Sequence, residues 1–343
     1  MKHIIIVCLV LFTLHSMAQV PDFKQVRIVS YNVENLFDCV DDSLTNDAEY
    51  LGGGIRGWNY ERYKTKLEHI SKVIVNIGEW ENPAIIGLCE IESEKCMRDL
   101  TRYSGLQNLH YKYIHYESPD PRGVDVAMLY QPEVFQPIQS KAVHVKFKSQ
   151  PNATTRDILY VEGKLYHSDT LHIYVCHFPS RLGGELESED KRIQAAETLR
   201  QHTDSIFKTN PDARIIIMGD FNDYPTDNSI NQTLNAQNPL NSLKFKLFNL
   251  AYPLQEKGYG SHKHNGEWGM LDQIIVSESL LNGTKLSCKE VNVYRAGFLL
   301  ENDTNFLGEK PFRTYNGMQY QGGYSDHLPV YTDIIIKQNA TQR

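Results

Sequence analysis

Cysteine is sparse in this chain, and the six present (Cys8, Cys39, Cys89, Cys96, Cys176 and Cys288) fall into no Cys/His spacing typical of zinc sites. With Cys8 inside an N-terminal apolar run, five remain, an odd number, so neither a structural zinc nor a disulfide framework is indicated. Basic residues are not in excess either: 35 Lys and Arg stand against 42 Asp and Glu, a formal charge of -7. That excludes a general electrostatic footprint for nucleic acid. It does not exclude an enzyme that touches a few phosphates, because a bound divalent cation adds positive charge that composition omits. Low-complexity tracts, repeats and Pro/Gly/Ser linkers are also missing, so residues 19–343 read as one domain.

No apolar run is long enough to cross a bilayer. The run Ile4 to Phe12 follows Lys2 and His3 and precedes Ser16-Met-Ala18. This is the basic, apolar, small-x-small order of a secretory signal peptide, too short for a span. Residues 1–18 are expected to be removed after Ala18, giving a secreted or periplasmic protein that starts at Gln19. Cys8 lies deep in the run without the small residues that lipoprotein processing requires.

What the chain does have is a recurring pattern of apolar runs that stop at polar groups. Ile215-Ile-Ile-Met218 stops at Gly219 and is followed by Asp220, Asn222 and Asp223. A continuous apolar run of four reads as a strand buried on both faces, leaving Asp220 and its neighbours at the strand tip. Val26 to Tyr31 ends likewise at Asn32 and Glu34, Ala84 to Cys89 at Glu90, and Thr170 to Cys176 at His177. Asp272 sits in the run Met270 to Val276, and Asp326-His327 leads into Leu328 to Ile336. Cys89 and Cys176 each precede such a polar tip and are expected to be small buried side chains behind it. Apolar residues at 63, 67, 70, 73, 74 and 77 predict a helix over Tyr60–Ile77, and Glu189–Phe207 reads as another. Further strands are expected at Tyr111–Tyr116, Val124–Tyr130, Val143–Phe147 and Arg156–Leu165, while residues 228–267 have no clear pattern. The tip inventory holds hard oxygen donors, imidazoles and an amide, with no serine nucleophile elbow. It suits Mg²⁺, Mn²⁺ or Ca²⁺ and fits hydrolysis of a phosphoester.

The motifs Ser30-Tyr-Asn-Val-Glu-Asn35, Leu88-Cys-Glu90, His177-Phe-Pro-Ser-Arg181, Gly219-Asp-Phe-Asn-Asp223, Leu271-Asp-Gln-Ile-Ile275 and Ser325-Asp-His-Leu-Pro329 resemble, in order, those of the endonuclease/exonuclease/phosphatase superfamily. The resemblance covers residues 26 to 336. It implies an α/β fold: a four-layer α-β-β-α sandwich of two packed, mostly antiparallel sheets with helices outside and the site at one rim. It also implies roles. Glu90, with Asn32 and Asp326, would hold the metal, with Glu34 as a fourth. Asp220 and Asn222 would orient the nucleophile and contact phosphate. His327 would be the general base, its tautomer fixed by Asp272, and His177 the second histidine. Glu117 is the first choice for the carboxylate that orients His177, with Asp120 and Asp125 as rivals. Arg156 and Arg181 would grip phosphate, which a guanidinium can do in a bidentate way.

The leading expectation is therefore an exported, Mg²⁺-dependent phosphodiesterase, a nuclease with nucleic acid as substrate. A phosphoesterase of lipid head groups or small phosphate esters is the alternative, and an inactive binding protein of the same fold a further one. No membrane insertion and no obligate protein partner are expected, although Phe298-Leu-Leu300 and Phe306-Leu307 could form an apolar hairpin.

Overall fold

Side chains on successive strand residues point to opposite faces, and in the central strands of this chain both faces are apolar. The computed structural model describes residues 23–240 and 246–337. The expected signal peptide, Met1–Ala18, and the start at Gln19 lie outside them. In strand β1 (Phe23–Leu36), Val26 and Ile28 join one buried cluster while Val29 and Tyr31 join another. Helix α1 (Tyr60–Gly78) follows, capped by the Asn59 side chain, and leads to β2 (Ile85–Ile91). There Ile85 and Cys89 face the first cluster, and Ile86 and Leu88 the second. The second cluster is completed by Leu67, Ile70, Val73, Ile74 and Ile77 of α1 and by Cys96, Met97 and Leu100 of α2 (Glu94–Arg102).

The chain continues through β3 (Lys112–His115), β4 (Asp125–Tyr130), β5 (Phe135–Val143), β6 (Ile158–Leu165) and β7 (Asp169–His177). Helix α3 (Glu185–Thr209) and β8 (Ile215–Asp220) come next. Ile173 and Val175 of β7 and Ile216 and Met218 of β8 meet the first cluster, whereas Tyr174, Cys176, Ile215 and Ile217 pack with Ala195, Ala196 and Leu199 of α3. The order of layers is therefore helices α1 and α2, first sheet, second sheet, helix α3, as the resemblance implied.

The first sheet runs Leu286–Ser287, Val330–Lys337, β1, β2, β4, β3, with Asn292–Val293 also on Val330–Lys337. The second runs β5, β6, β7, β8, Asp272–Ser277, Leu247–Asn249, Ala236–Gln237. Each has a parallel pair at its centre, β1 with β2 and β7 with β8, joined through α1 or α3. Antiparallel neighbours flank each pair. The register sets His177 opposite Asp220 and Asp220 opposite Asp272. Gly87 lets the sheets approach, since a Cβ there would meet the Met218 Cε at 3.0 Å and both Val175 methyls at 3.1 Å.

The expected strand Val143–Phe147 is displaced: the strand is Phe135–Val143, with residues 144–147 in no regular element. Its Pro137 lies beside a register shift on the edge of the sheet, where a missing N–H is tolerated. No helix among the described residues is long and apolar enough to cross a membrane.

Candidate active site

The strand tips meet at Asp220, which is 2% exposed. Gly219, at φ +145°, brings it there: a Cβ on Gly219 would fall 1.9 Å from the Cys176 carbonyl oxygen. Behind the tips Cys89 and Cys176 are buried and unbridged, the Cys89 thiol donating to the Cys176 carbonyl at 3.3 Å. Asp220 Oδ1 accepts from the backbone N–H of Asn222 at 2.9 Å. Its Oδ2 accepts from Asn32 Nδ2 at 3.0 Å and lies 3.6 Å from His177 Nε2 and 3.8 Å from His327 Nε2. Two imidazoles from different sheets thus face a single carboxylate oxygen. Glu90 completes this side, with Oε1 3.5 Å from Asn32 Nδ2 and 3.9 Å from His177 Nε2, and Oε2 accepting from the Asn35 N–H at 2.9 Å. Its backbone is left-handed, φ 67°, at the register shift of β2. For a non-glycine residue that strain persists only where the surroundings enforce it.

His327 Nδ1 is 2.6 Å from Asp272 Oδ2, and Asp272 is fully buried. Burial works against a charged His327 ring, but Asp272 and Asp220 outweigh it and hold its pKa well above the ordinary value. His177 is pushed the other way, first by burial and then by Arg156, Arg122 and His327. Burial raises Asp220 to about 6, with His327 opposing and Asp272 assisting. Two imidazoles whose pKa values are pushed in opposite directions beside one carboxylate oxygen form a proton-transfer arrangement.

The structure gives several expected residues other work. Glu117 is not at His177: its exposed side chain lies 3.9 Å from His115 Nδ1. Asp125 takes His115 Nε2 at 3.1 Å and the Ser118 N–H at 2.9 Å, and Asp120 takes Arg156 at 2.9 Å. Among the described residues His177 Nδ1 has no hydrogen-bond partner, so no orienting carboxylate is in place. Arg156 is buried and donates to the carbonyls of His177 and Phe178 at 3.3 and 2.6 Å, bracing the turn that carries His177. Arg181 donates to the Asn222 carbonyl at 2.7 Å and pairs with Asp227 and Glu185 at 2.8 and 2.9 Å, bracing the loop after β8. Asn222 itself turns its amide to the Phe178 carbonyl at 3.0 Å. Glu34 is taken up by the N–H groups of Thr314 and Tyr315, from which it accepts at 2.6 and 3.4 Å.

Four residues enter that the sequence pattern did not single out. Arg313 bridges Glu34 and Asp326 at 3.3 and 2.9 Å. Burial would raise the Asp326 pKa, but His327 and Arg313 outweigh it and lower it. Lys66 is buried against the Thr314 hydroxyl and Tyr324 carbonyl, at 2.5 and 2.7 Å, and burial lowers it to about 8. It stands on the apolar face of α1, three residues after Tyr63 and four before Ile70, a readable sign of a buried cation. Arg122, half-exposed beside Asp120, sends its charge toward His177, and the His262 ring lies against His327, tilted by 38° with ring centroids 4.7 Å apart. Both sit on weakly patterned loops or hairpins that offered no signal.

The donor chemistry fits a hard divalent cation. Glu90, Asp220 and Asp326 present carboxylate oxygens, and the charges of Glu90 and Asp326 both reach Arg313 and Lys66.

The sequence matches the Endonuclease/Exonuclease/phosphatase family over residues 27–336, and the chain belongs to that family. It is a phosphoesterase by family, and the family depends on divalent metal. The fold is similar to that of an endonuclease/exonuclease/phosphatase family protein from Bacteroides thetaiotaomicron, with 15% identity, 92% of this chain and 98% of that one covered and TM-score 0.56. A mannosyl-6-phosphatase from the same organism gives 14%, 90%, 99% and 0.56. The human Nocturnin catalytic domain gives 17%, 90%, 94% and 0.54. A search of curated proteins found no match.

Proposed function

We propose that the protein is a Mg²⁺-dependent phosphodiesterase that cleaves nucleic acid outside the cytoplasm. The observation that supports this reading is the placement of His177 Nε2 and His327 Nε2 at 3.6 and 3.8 Å from the same Asp220 oxygen. Diester cleavage needs a proton removed from water on one side of phosphorus and a donor for the departing alkoxide on the other. His327, its Nδ1 held by Asp272, turns Nε2 inward and takes the water proton from its deprotonated form, which a cation offsetting Asp220 and Asp326 would favour, and Asp220 and Asn32 fix the water. His177 is neutral, and its Nε2–H donates to a phosphoryl or leaving oxygen. A cation held by Glu90 and Asp326, with the Asn32 amide beside it, would neutralise charge on the phosphate oxygens. Export rests on the Met1–Ala18 pattern.

A second reading, a phosphomonoesterase of small organic phosphates, is favoured by one observation. Arg156 and Arg181, expected to grip phosphate, are both spent inside the fold, which leaves neither to hold the backbone of a polymer. One relative of similar fold is a sugar phosphatase. The test is residues 19–343 assayed on plasmid DNA, RNA and hexose phosphates with and without chelator. Nucleic-acid cleavage abolished by chelator, and lost in His177→Ala and His327→Ala, is expected. Release of inorganic phosphate from hexose phosphates alone selects the second reading, and chelator-resistant turnover refutes both.

A further inference from the structure

His262 reaches the site on a short hairpin, His262–His264 paired with Glu267–Gly269. A backbone bridge ties His262 to His327, the Leu328 N–H donates to the Ser261 carbonyl at 2.7 Å, and Lys263 is anchored to Asp303 at 2.9 Å. The hairpin is therefore fixed to the segment that carries Asp326 and His327. Among the described residues no hydrogen bond reaches the His262 ring, although it is partly buried beside His327. One ligand atom each from His262, Asp326 and His327 lies within 4.8 Å of the others.

We propose that these three side chains form a second cation site, selective for zinc-class transition dications. Two imidazoles and one carboxylate are a borderline-soft donor set that favours zinc over magnesium, whereas the oxygens of Glu90 and Asp326 favour magnesium. His327 is prepared as a ligand by the Asp272 carboxylate on its Nδ1, which fixes the tautomer and raises the basicity of Nε2, as outer-shell carboxylates do for metal-binding histidines. Zinc donors sit about 2 Å from the metal, so closing the set takes a shift of about 1 Å. Occupancy takes the Nε2 lone pair of His327 out of use and shares Asp326 with the magnesium site. Zinc-class ions are thus inhibitors that act through His262. That inhibitory consequence rests on the role given above to His327; the binding does not.

The test measures zinc affinity of the full chain against a chromophoric zinc chelator in excess Mg²⁺, for wild type and for His262→Phe, His262→Cys and His167→Ala, the last in an exposed turn. Wild type and His167→Ala should bind alike, and His262→Phe at least about 100-fold more weakly. His262→Cys should regain affinity because a thiolate replaces the imidazole, which also shows that position 262 can be changed without losing the fold. Co²⁺ should give visible absorption bands in wild type that His262→Phe loses. Equal zinc affinity in wild type and His262→Phe, or no zinc-specific site in wild type, overturns the proposal. If zinc binds through His262 but no phosphoester is cleaved, the site stands and the reading of the function falls.

Discussion

Replacing Asp272 by Asn tests how His327 is made into a base. The two side chains meet at 2.6 Å, and both are buried. An asparagine of the same shape can offer Nδ1 its oxygen, keeping the tautomer but withdrawing the negative charge that supports the protonated ring. Alternatively it offers its NH₂, which forces the proton onto Nε2, where it blocks proton uptake. Either way general-base assistance is lost, about 10²–10⁴ in kcat/KM or about 3–5 kcal/mol of barrier. The fold should hold, because a buried charge is exchanged for a neutral isostere. A second readout uses chelated protein. With its folded pKa raised, His327 contributes stability in full below its unfolded value of about 6.5 and loses it as pH rises through the folded value. Asp272→Asn should therefore be less stable than wild type at pH 6, with a gap that closes at alkaline pH. A variant with kcat/KM within threefold of wild type on a chromogenic diester would refute the assignment of His327 and Asp272.

Arg156→Lys should lower kcat with little change in KM, because lysine cannot span both carbonyls and Asp120; urea melts should show a loss of about 2–4 kcal/mol. Glu117→Gln should leave kcat/KM within about twofold, since that side chain is exposed at His115, and a loss near that of His177→Ala would restore it as the orienting acid. Gly87→Val should push the sheets apart at Met218 and Val175, cost about 1–3 kcal/mol by overpacking and depress activity without altering any polar tip. His177→Asn in chelator should remove an acid-side instability: a histidine with a depressed folded pKa gives stability above about pH 6.5 that is lost, at about 1.4 kcal/mol per pH unit, as pH falls toward the folded value. Equal acid profiles for the variant and wild type would contradict the neutral, buried His177.

The apolar runs announced the central strands because those strands are buried on both faces. Val26–Tyr31 and Ile215–Met218 fall inside observed strands, Ala84–Cys89 does so but for Ala84, and helix Tyr60–Ile77 differs from the observed one by a single residue. Convergence of the tips was legible for the same reason, since parallel neighbours such as β7 and β8 end side by side. Edge strand Phe135–Val143 was hidden by Pro132 and Pro137 and a partly exposed face. The site residues that escaped are of another kind. Arg313 and Arg122 lie on loops with no periodicity, so nothing local separates a cation at a cleft from one in solvent. Arg156 and Arg181 erred the other way: a motif marks that an arginine stands near the site, but its neighbours decide whether it points at substrate or at backbone carbonyls.

That last distinction explains why the two halves of the site differ. The first sheet brings oxygen donors, Asn32 and Glu90, at the ends of β1 and β2; the second brings His177 and Asp220 at the ends of β7 and β8. Carboxylates gathered at one point repel, and the first half answers this with Arg313 and Lys66 behind Glu34 and Asp326. In the second half Arg156 and Arg181 grip carbonyls and fix His177 and the loop after β8 in place, and the charge of Arg156 helps to keep His177 neutral. Around Glu90, Asp220, Asp272 and Asp326 the carboxylates still gather at one rim. A divalent cation at the tips is thus what the charge distribution of this fold calls for, and it explains why an acidic chain can act on phosphate.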